Sequence, residues 1–137
     1  MARHISFSTW LLRLAHGFLR ALPITAFTMA LATDIAYVQT SNLLWLHFSE
    51  WLLLVGIVGV GFDLLLSLIE LPIRKLRPAW PAVLMGVVIF VLAFINNLVH
   101  TADGWTAVVP MGLTLSAATV LAMLLTAWLG REGEIHA

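Results

Sequence analysis

The sequence predicts an all-α membrane protein, in which a four-transmembrane-helix bundle is preceded by a short amphipathic interfacial helix. Two observations carry this prediction. Of the 137 residues, 61% are hydrophobic and 10% are charged, whereas a soluble domain has about half apolar and about a quarter charged residues. The apolar residues also form four long continuous runs, and a run of about 20 such residues crosses a bilayer as a helix. The composition therefore excludes a soluble globular enzyme and a disordered chain.

The predicted elements follow in order along the chain. Residues 1–20 are predicted to form a cytoplasmic amphipathic helix in the membrane interface, because a helix there gathers its polar side chains on one face. Residues 21–130 are predicted to form the four-span membrane domain. Its spans are expected at about residues 21–38, 46–71, 79–99 and 106–129, separated by segments with turn-forming residues. Residues 131–137 are expected to form a cytoplasmic tail.

The basic residues predict the orientation of the spans. All seven fall on one side of the predicted topology: Arg3, Arg13, Arg20, Arg74, Lys75, Arg77 and Arg131. Because short cytoplasmic segments of membrane proteins are enriched in Lys and Arg, we expect both termini in the cytoplasm. Seven acidic residues balance the seven basic ones, so the net charge does not indicate a nucleic-acid partner. The absence of cysteine excludes disulfides and thiolate metal sites.

Polar residues gather near the outer ends of the first and third spans. They form a predicted intramembrane polar cluster: Asp34, Asn96, Asn97, His100 and Asp103. A charge near the bilayer centre costs about 2.5–3.5 kcal/mol on insertion scales, so we expect Asp34 to be hydrogen-bonded to Asn97 or His100. One interpretation is a hydrogen-bonded clasp that closes the outer end of the bundle. The other is a site open to the periplasm, with His100 as a ligand or proton carrier.

A second polar group lies in the inner half of the second span. Asp63, Ser67 and Glu70 follow one another at helical spacing and form an inner polar stripe. The expected partners of Asp63 are Thr119, Thr126, Arg20 and Arg74. The stripe is interpreted either as polar groups that hold the helices together or as part of a proton path, an ion path or a redox site.

Three histidines are candidates for binding a cofactor. Haem in a membrane bundle needs two axial histidines on different helices at matching depth. His47 and His100 are the pair that meets the depth condition, so haem b is one hypothesis, although His47 is expected to face away from the Asp63 stripe. His16 falls on the basic face of the interfacial helix, where contact with lipid headgroups is expected. No catalytic residue and no metal site is expected, because zinc-ligand spacing and nucleophile motifs are missing.

Motifs spread over most of the chain, from His16 to Gly130, carry a family resemblance. They comprise the stretch HGFLRALPI, then Thr33, Asp34 and Tyr37, then Trp45, Ser49, Trp51 and Leu52, then Glu70, then Asn96, His100, Asp103, Gly104, Trp105, Pro110, Gly112 and Ser116, and finally Trp128, Leu129 and Gly130. In these positions the chain resembles the small bacterial membrane proteins called domain of unknown function 2231.

The resemblance implies a four-span membrane fold and brings no established activity. Some members of that family sit beside, or are joined to, periplasmic sugar-type quinoprotein dehydrogenases, which implies a role as a redox partner. The chain departs from the family pattern near its start. Gly17 stands in place of a Pro, and Ala21 stands where many members carry a second His. If two N-terminal histidines form a site in relatives, this chain has half of it.

These observations predict a non-catalytic accessory or anchoring subunit, for example of a periplasmic redox enzyme. The expected partners are the lipid bilayer and either further copies of the chain or a membrane or periplasmic protein. Two alternatives remain open. One is a b-type haem or quinone-linked electron carrier. The other is a small proton-coupled transporter that acts as a dimer, since four short spans are few for alternating access.

Overall fold

The structure, a computed structural model, describes residues 7–74, 80–102 and 108–135, and these are helical except at Ser41, Asn42 and Ala102. Its elements are α1 (Phe7–Thr40), α2 (Leu43–Arg74), α3 (Trp80–Thr101), a π-helical turn (Val108–Gly112) and α4 (Leu113–Ile135). Within these ranges, four segments are long and apolar enough to cross a membrane: Gly17–Thr40, Leu43–Ile69, Trp80–Thr101 and Val108–Leu129. The predicted class, a helical protein with four candidate spans, is confirmed.

The first helix differs from the prediction. α1 has 34 residues and continues without a break past residue 20, where we predicted a separate interfacial helix to end. The structure therefore shows no separate interfacial helix in residues 7–20. Pro23 lies in the interior of α1, where it is buried. A Cβ added at Gly59 of α2 would lie 2.9 Å from Pro23 Cγ, so this glycine lets α1 and α2 approach closely.

The turn between α1 and α2 is short and follows from its sequence. Ser41 adopts a positive φ of 53°, and its N–H donates to the carbonyl of Tyr37 at 2.7 Å. Asn42 then caps α2, because its Oδ1 accepts from the N–H of Leu44 at 3.0 Å. The chain thus reverses direction between Thr40 and Leu43. We call this end of the bundle the short-turn end.

The four helices pack in a ring in which α1 and α3 each contact both α2 and α4. The middle of the bundle is an apolar core formed by Phe27, Ala30, Leu53, Val60, Ile89 and Ala93. Most large apolar side chains instead point outward and are exposed, among them Trp51, Leu84 and Leu121. Apolar surface on the outside and polar groups inside are the arrangement that a bilayer requires.

Candidate functional site

A buried polar cluster joins all four helices near the short-turn end. It contains Asp34 of α1, Ser49 of α2, His100 of α3 and Ser116 of α4, and we call these four residues the Asp34 cluster. Each of the four is between 0% and 2% exposed. Asp34 lies near the end of α1 and Ser49 near the start of α2, so helices that run in opposite directions bring their side chains to the same depth.

Asp34 is the centre of the cluster. Its Oδ1 accepts a hydrogen bond from Ser49 Oγ at 2.5 Å and contacts His100 Nε2 at 2.9 Å. Its Oδ2 accepts from Ser116 Oγ at 2.5 Å. Each of the other three helices thus contributes one partner to this carboxyl group. A buried carboxyl group is expensive unless it is hydrogen-bonded in this way.

The surroundings of Nδ1, the other ring nitrogen of His100, show which ring nitrogen carries a hydrogen. Nδ1 is 2.9 Å from the carbonyl oxygen of Asn96. A carbonyl only accepts, so Nδ1 carries a hydrogen. The contact between Nε2 and Asp34 then contains one proton in either of two forms, an imidazolium with a carboxylate or a neutral imidazole with a carboxylic acid. In both forms the pair has no net charge, which suits a site that excludes water and lipid.

Two further residues extend the network. Asn96 Nδ2 donates to Ser116 Oγ at 2.7 Å, and Thr33 Oγ1 lies 2.6 Å from Ser49 Oγ. Asn96 Oδ1 is buried and has no hydrogen-bond partner among the described residues. A Cβ added at Gly112 would lie 2.8 Å from His100 Cε1, so the glycine at the start of the fourth span leaves the space that the histidine ring occupies.

The structure brings together only part of the cluster that the sequence predicted. Asp34 pairs with His100, one of its two expected partners. Asn97 does not join them, because its Nδ2 donates to the backbone carbonyl of Glu50 at 3.3 Å. Asp103 lies outside the described residues. Ser49, Ser116 and Thr33 were not among the predicted site residues.

The expected pair of haem ligands does not fit this arrangement. The side chain of His47 is 64% exposed and its Nδ1 lies 3.4 Å from Glu50 Oε2. Both ring nitrogens of His100 are already engaged inside the bundle. The side chain of His16 lies outside the described part. Within that part, no three His, Cys, Asp or Glu residues come together as a metal site.

The inner polar stripe lies in the half of the bundle away from the short-turn end. Arg20 is the partner of Asp63 there, with Nε 3.6 Å from Oδ1. Two other expected partners bond to their own helix instead, since the hydroxyls of Thr119 and Thr126 donate to backbone carbonyls four residues earlier. Asp63 and Ser67 line a cavity. The side chains of Glu70 and Arg74 lie outside the described part.

Four helices long and apolar enough to span a membrane pack around an apolar core and a buried polar cluster, which defines the class of four-span helical membrane proteins. Comparison with protein families identifies the family within this class. The family described as "Predicted membrane protein (DUF2231)" matches residues 14–136, and the chain belongs to this family. The resemblance seen in the sequence motifs is thereby confirmed. Neither a curated protein nor a solved structure matches the chain.

Proposed function

We propose that the protein is a non-catalytic accessory or anchoring subunit of a bacterial inner membrane, with both termini in the cytoplasm. The observation that carries this proposal is the closure of the Asp34 cluster. Its carboxyl oxygens and imidazole nitrogens all have partners within the bundle, and Asp34 is fully buried. A carboxyl group that is buried and hydrogen-bonded only to neighbouring helices is suited to holding those helices together.

The separation of the two polar regions favours this role over proton-coupled transport. Ser49 and Asp63 are 14 residues apart on α2, which is about 21 Å along the helix. Between them the buried face of α2 presents Leu53 and Val60 to an apolar core. A proton path needs a continuous chain of hydrogen-bonding groups, and the described side chains do not form one across this distance.

The expected partner is a protein exposed on the periplasmic side, for example a redox enzyme, or a second copy of the chain. The family resemblance suggests the redox enzyme. The large exposed apolar surface is accounted for by lipid, so it does not by itself identify a protein interface.

The test compares two double variants in the native host. Asp34→Asn with His100→Gln keeps hydrogen-bonding groups but removes both ionisable groups, whereas Asp34→Leu with His100→Leu removes the carboxyl group to which Ser49 and Ser116 donate. Each buried unpaired group costs about 1–3 kcal/mol. We expect the amide variant to fold and to co-purify with the same periplasmic protein as the wild type, and the leucine variant to lose folded protein.

Two results would contradict the proposal. One is an amide variant that folds normally but loses the cellular phenotype of the protein, because the pair would then act by titration. The other is a stoichiometric Soret absorption band in the wild-type protein purified from native membranes, which would identify a haem carrier.

A further inference from the structure

A cavity opens between the four helices in the half of the bundle away from the Asp34 cluster. Its volume is ≈ 510 Å³ and every helix contributes to its wall, for example through Pro23, Asp63, Gly86 and Thr126. Pockets that bind small molecules have volumes of about 300–1,000 Å³. The cavity is therefore large enough for the head group and the first part of the tail of a lipid-soluble molecule.

The depth of the cavity matches one leaflet of a bilayer. On α2 its wall extends from Ser67 to Val60, and the span ends at Ile69. At about 1.5 Å per residue, the wall runs from about 3 Å to about 13 Å inside the end of the span. The wall on α3, from Ala82 to Ile89, gives a similar depth from the start of that span at Trp80. The hydrocarbon core is about 30 Å thick, so the cavity reaches close to the midplane.

The polar part of the wall consists mainly of the pair formed by Arg20 and Asp63. Their N–O distance is 3.6 Å, longer than a hydrogen bond. Within the described part of the chain, this is the one polar contact of the Asp63 carboxyl group. The pair therefore leaves a guanidinium donor and a carboxylate acceptor side by side for a ligand.

The charges of this pair select the kind of head group. A phosphate would be attracted by Arg20 but repelled by Asp63. Asp63 also lies six residues before the end of its span at Ile69, about 9 Å inside, where a charged head group would lose its water at a high cost. An uncharged head group meets neither obstacle.

We propose that the cavity binds an uncharged amphiphile whose head group carries hydroxyl or carbonyl oxygens. A hydroxyl donates to Asp63, a carbonyl oxygen or the oxygen of a second hydroxyl accepts from Arg20, and the apolar tail packs against Val60, Leu64 and Ile89, which line the wall. Acylglycerols and quinols share this chemistry. The site is independent of the accessory role proposed above, because its residues take no part in the Asp34 cluster.

The test uses the full chain in nanodiscs and three photoreactive probes that carry a diazirine on the tail. The probes are a monoacylglycerol, a quinol with an alkyl tail, and phosphatidylglycerol as the charged control. We expect at least one uncharged probe to label cavity-lining residues of α3 and α4, with labelling that saturates and that an unlabelled copy of the probe displaces. Whichever uncharged probe does so identifies the source of the ligand.

Matched variants link the labelling to the cavity. Ala82→Phe places a ring in the wall, whereas Val87→Phe adds the same ring to a 45% exposed position of α3 outside the cavity. We expect Ala82→Phe to weaken saturable labelling about tenfold or more, equivalent to about 1.4 kcal/mol, and Val87→Phe to leave it unchanged. Arg20→Gln changes a side chain that is 68% exposed and keeps a hydrogen-bond donor, so we expect it to fold and to weaken labelling several-fold.

Three outcomes would overturn the proposal. The first is that neither uncharged probe shows saturable labelling. The second is that phosphatidylglycerol saturates the same residues equally well. The third is that Ala82→Phe and Val87→Phe are labelled to the same extent. If the accessory role is wrong, the Asp34 and His100 variants will show it, and probe labelling of the wild-type protein will not change. The two proposals can therefore be refuted independently.

Discussion

Gly56→Ala tests how tightly α1 and α2 are packed. A Cβ added at Gly56 would overlap the ring of Phe27, which is 1% exposed and belongs to the apolar core. Such overpacking costs about 1–3 kcal/mol. A matched control lies five residues further along the same helix. At Gly61 an added Cβ would be 3.6 Å from Phe90 Cε2, an ordinary contact. Both changes gain the same helix propensity, so we expect Gly56→Ala to be less stable than Gly61→Ala by about 1–3 kcal/mol.

The free energy of unfolding can be measured in mixed micelles by titrating a denaturing detergent and following tryptophan fluorescence. Adding Phe27→Leu to Gly56→Ala should relieve the overlap, so the double-mutant cycle should give a coupling of at least about 0.5 kcal/mol. Equal stabilities of the two alanine variants, or a coupling near zero, would refute the reasoning.

Three further predictions concern the short-turn end and the orientation. Gly112→Ala would place a Cβ 2.8 Å from His100 Cε1 and displace the ring, so it should lower the free energy of unfolding by about 1–3 kcal/mol in the same assay; an unchanged value would mean that the ring moves freely. Asn42→Ala removes the acceptor for the N–H of Leu44, so it should cost about 0.5–2 kcal/mol and speed hydrogen exchange at that amide; exchange at the wild-type rate would argue against the cap. A reporter fused after Ala137 should be active only in the cytoplasm, and periplasmic activity would disprove the proposed orientation.

The sequence was sufficient for the spans because length and hydropathy are properties of each segment alone. The third span, predicted at residues 79–99, is Trp80–Thr101 in the structure. The sequence did not suffice to predict how α1 begins. An amphipathic pattern has the same period whether the helix stops at residue 20 or continues into the membrane, and in the structure α1 continues past this point and through Pro23.

The Asp34 cluster could be predicted only in part. Asn97 and His100 were both predicted as partners of Asp34, because their depth in the third span is similar to its depth in the first. Choosing between Asn96 and Asn97 required the rotation of α3 about its axis, because neighbouring residues on a helix point about 100° apart. That rotation is set by packing between helices. Ser49 and Ser116 are small polar residues within their spans, and the sequence of one span does not distinguish a serine that bonds to a carboxyl group from one that only allows close packing.

The Asp34 cluster also constrains the biogenesis of the protein. Its residues come from two hairpins, with Asp34 and Ser49 in the first and His100 and Ser116 in the second. When only α1 and α2 have been inserted, the carboxyl group has a single hydroxyl partner and faces lipid. Insertion and association of membrane helices are separable stages. The second hairpin then supplies the remaining partners of Asp34, which are His100 and Ser116. A truncated first hairpin would keep Asp34 exposed to hydrocarbon, where an unsatisfied polar group costs several kcal/mol.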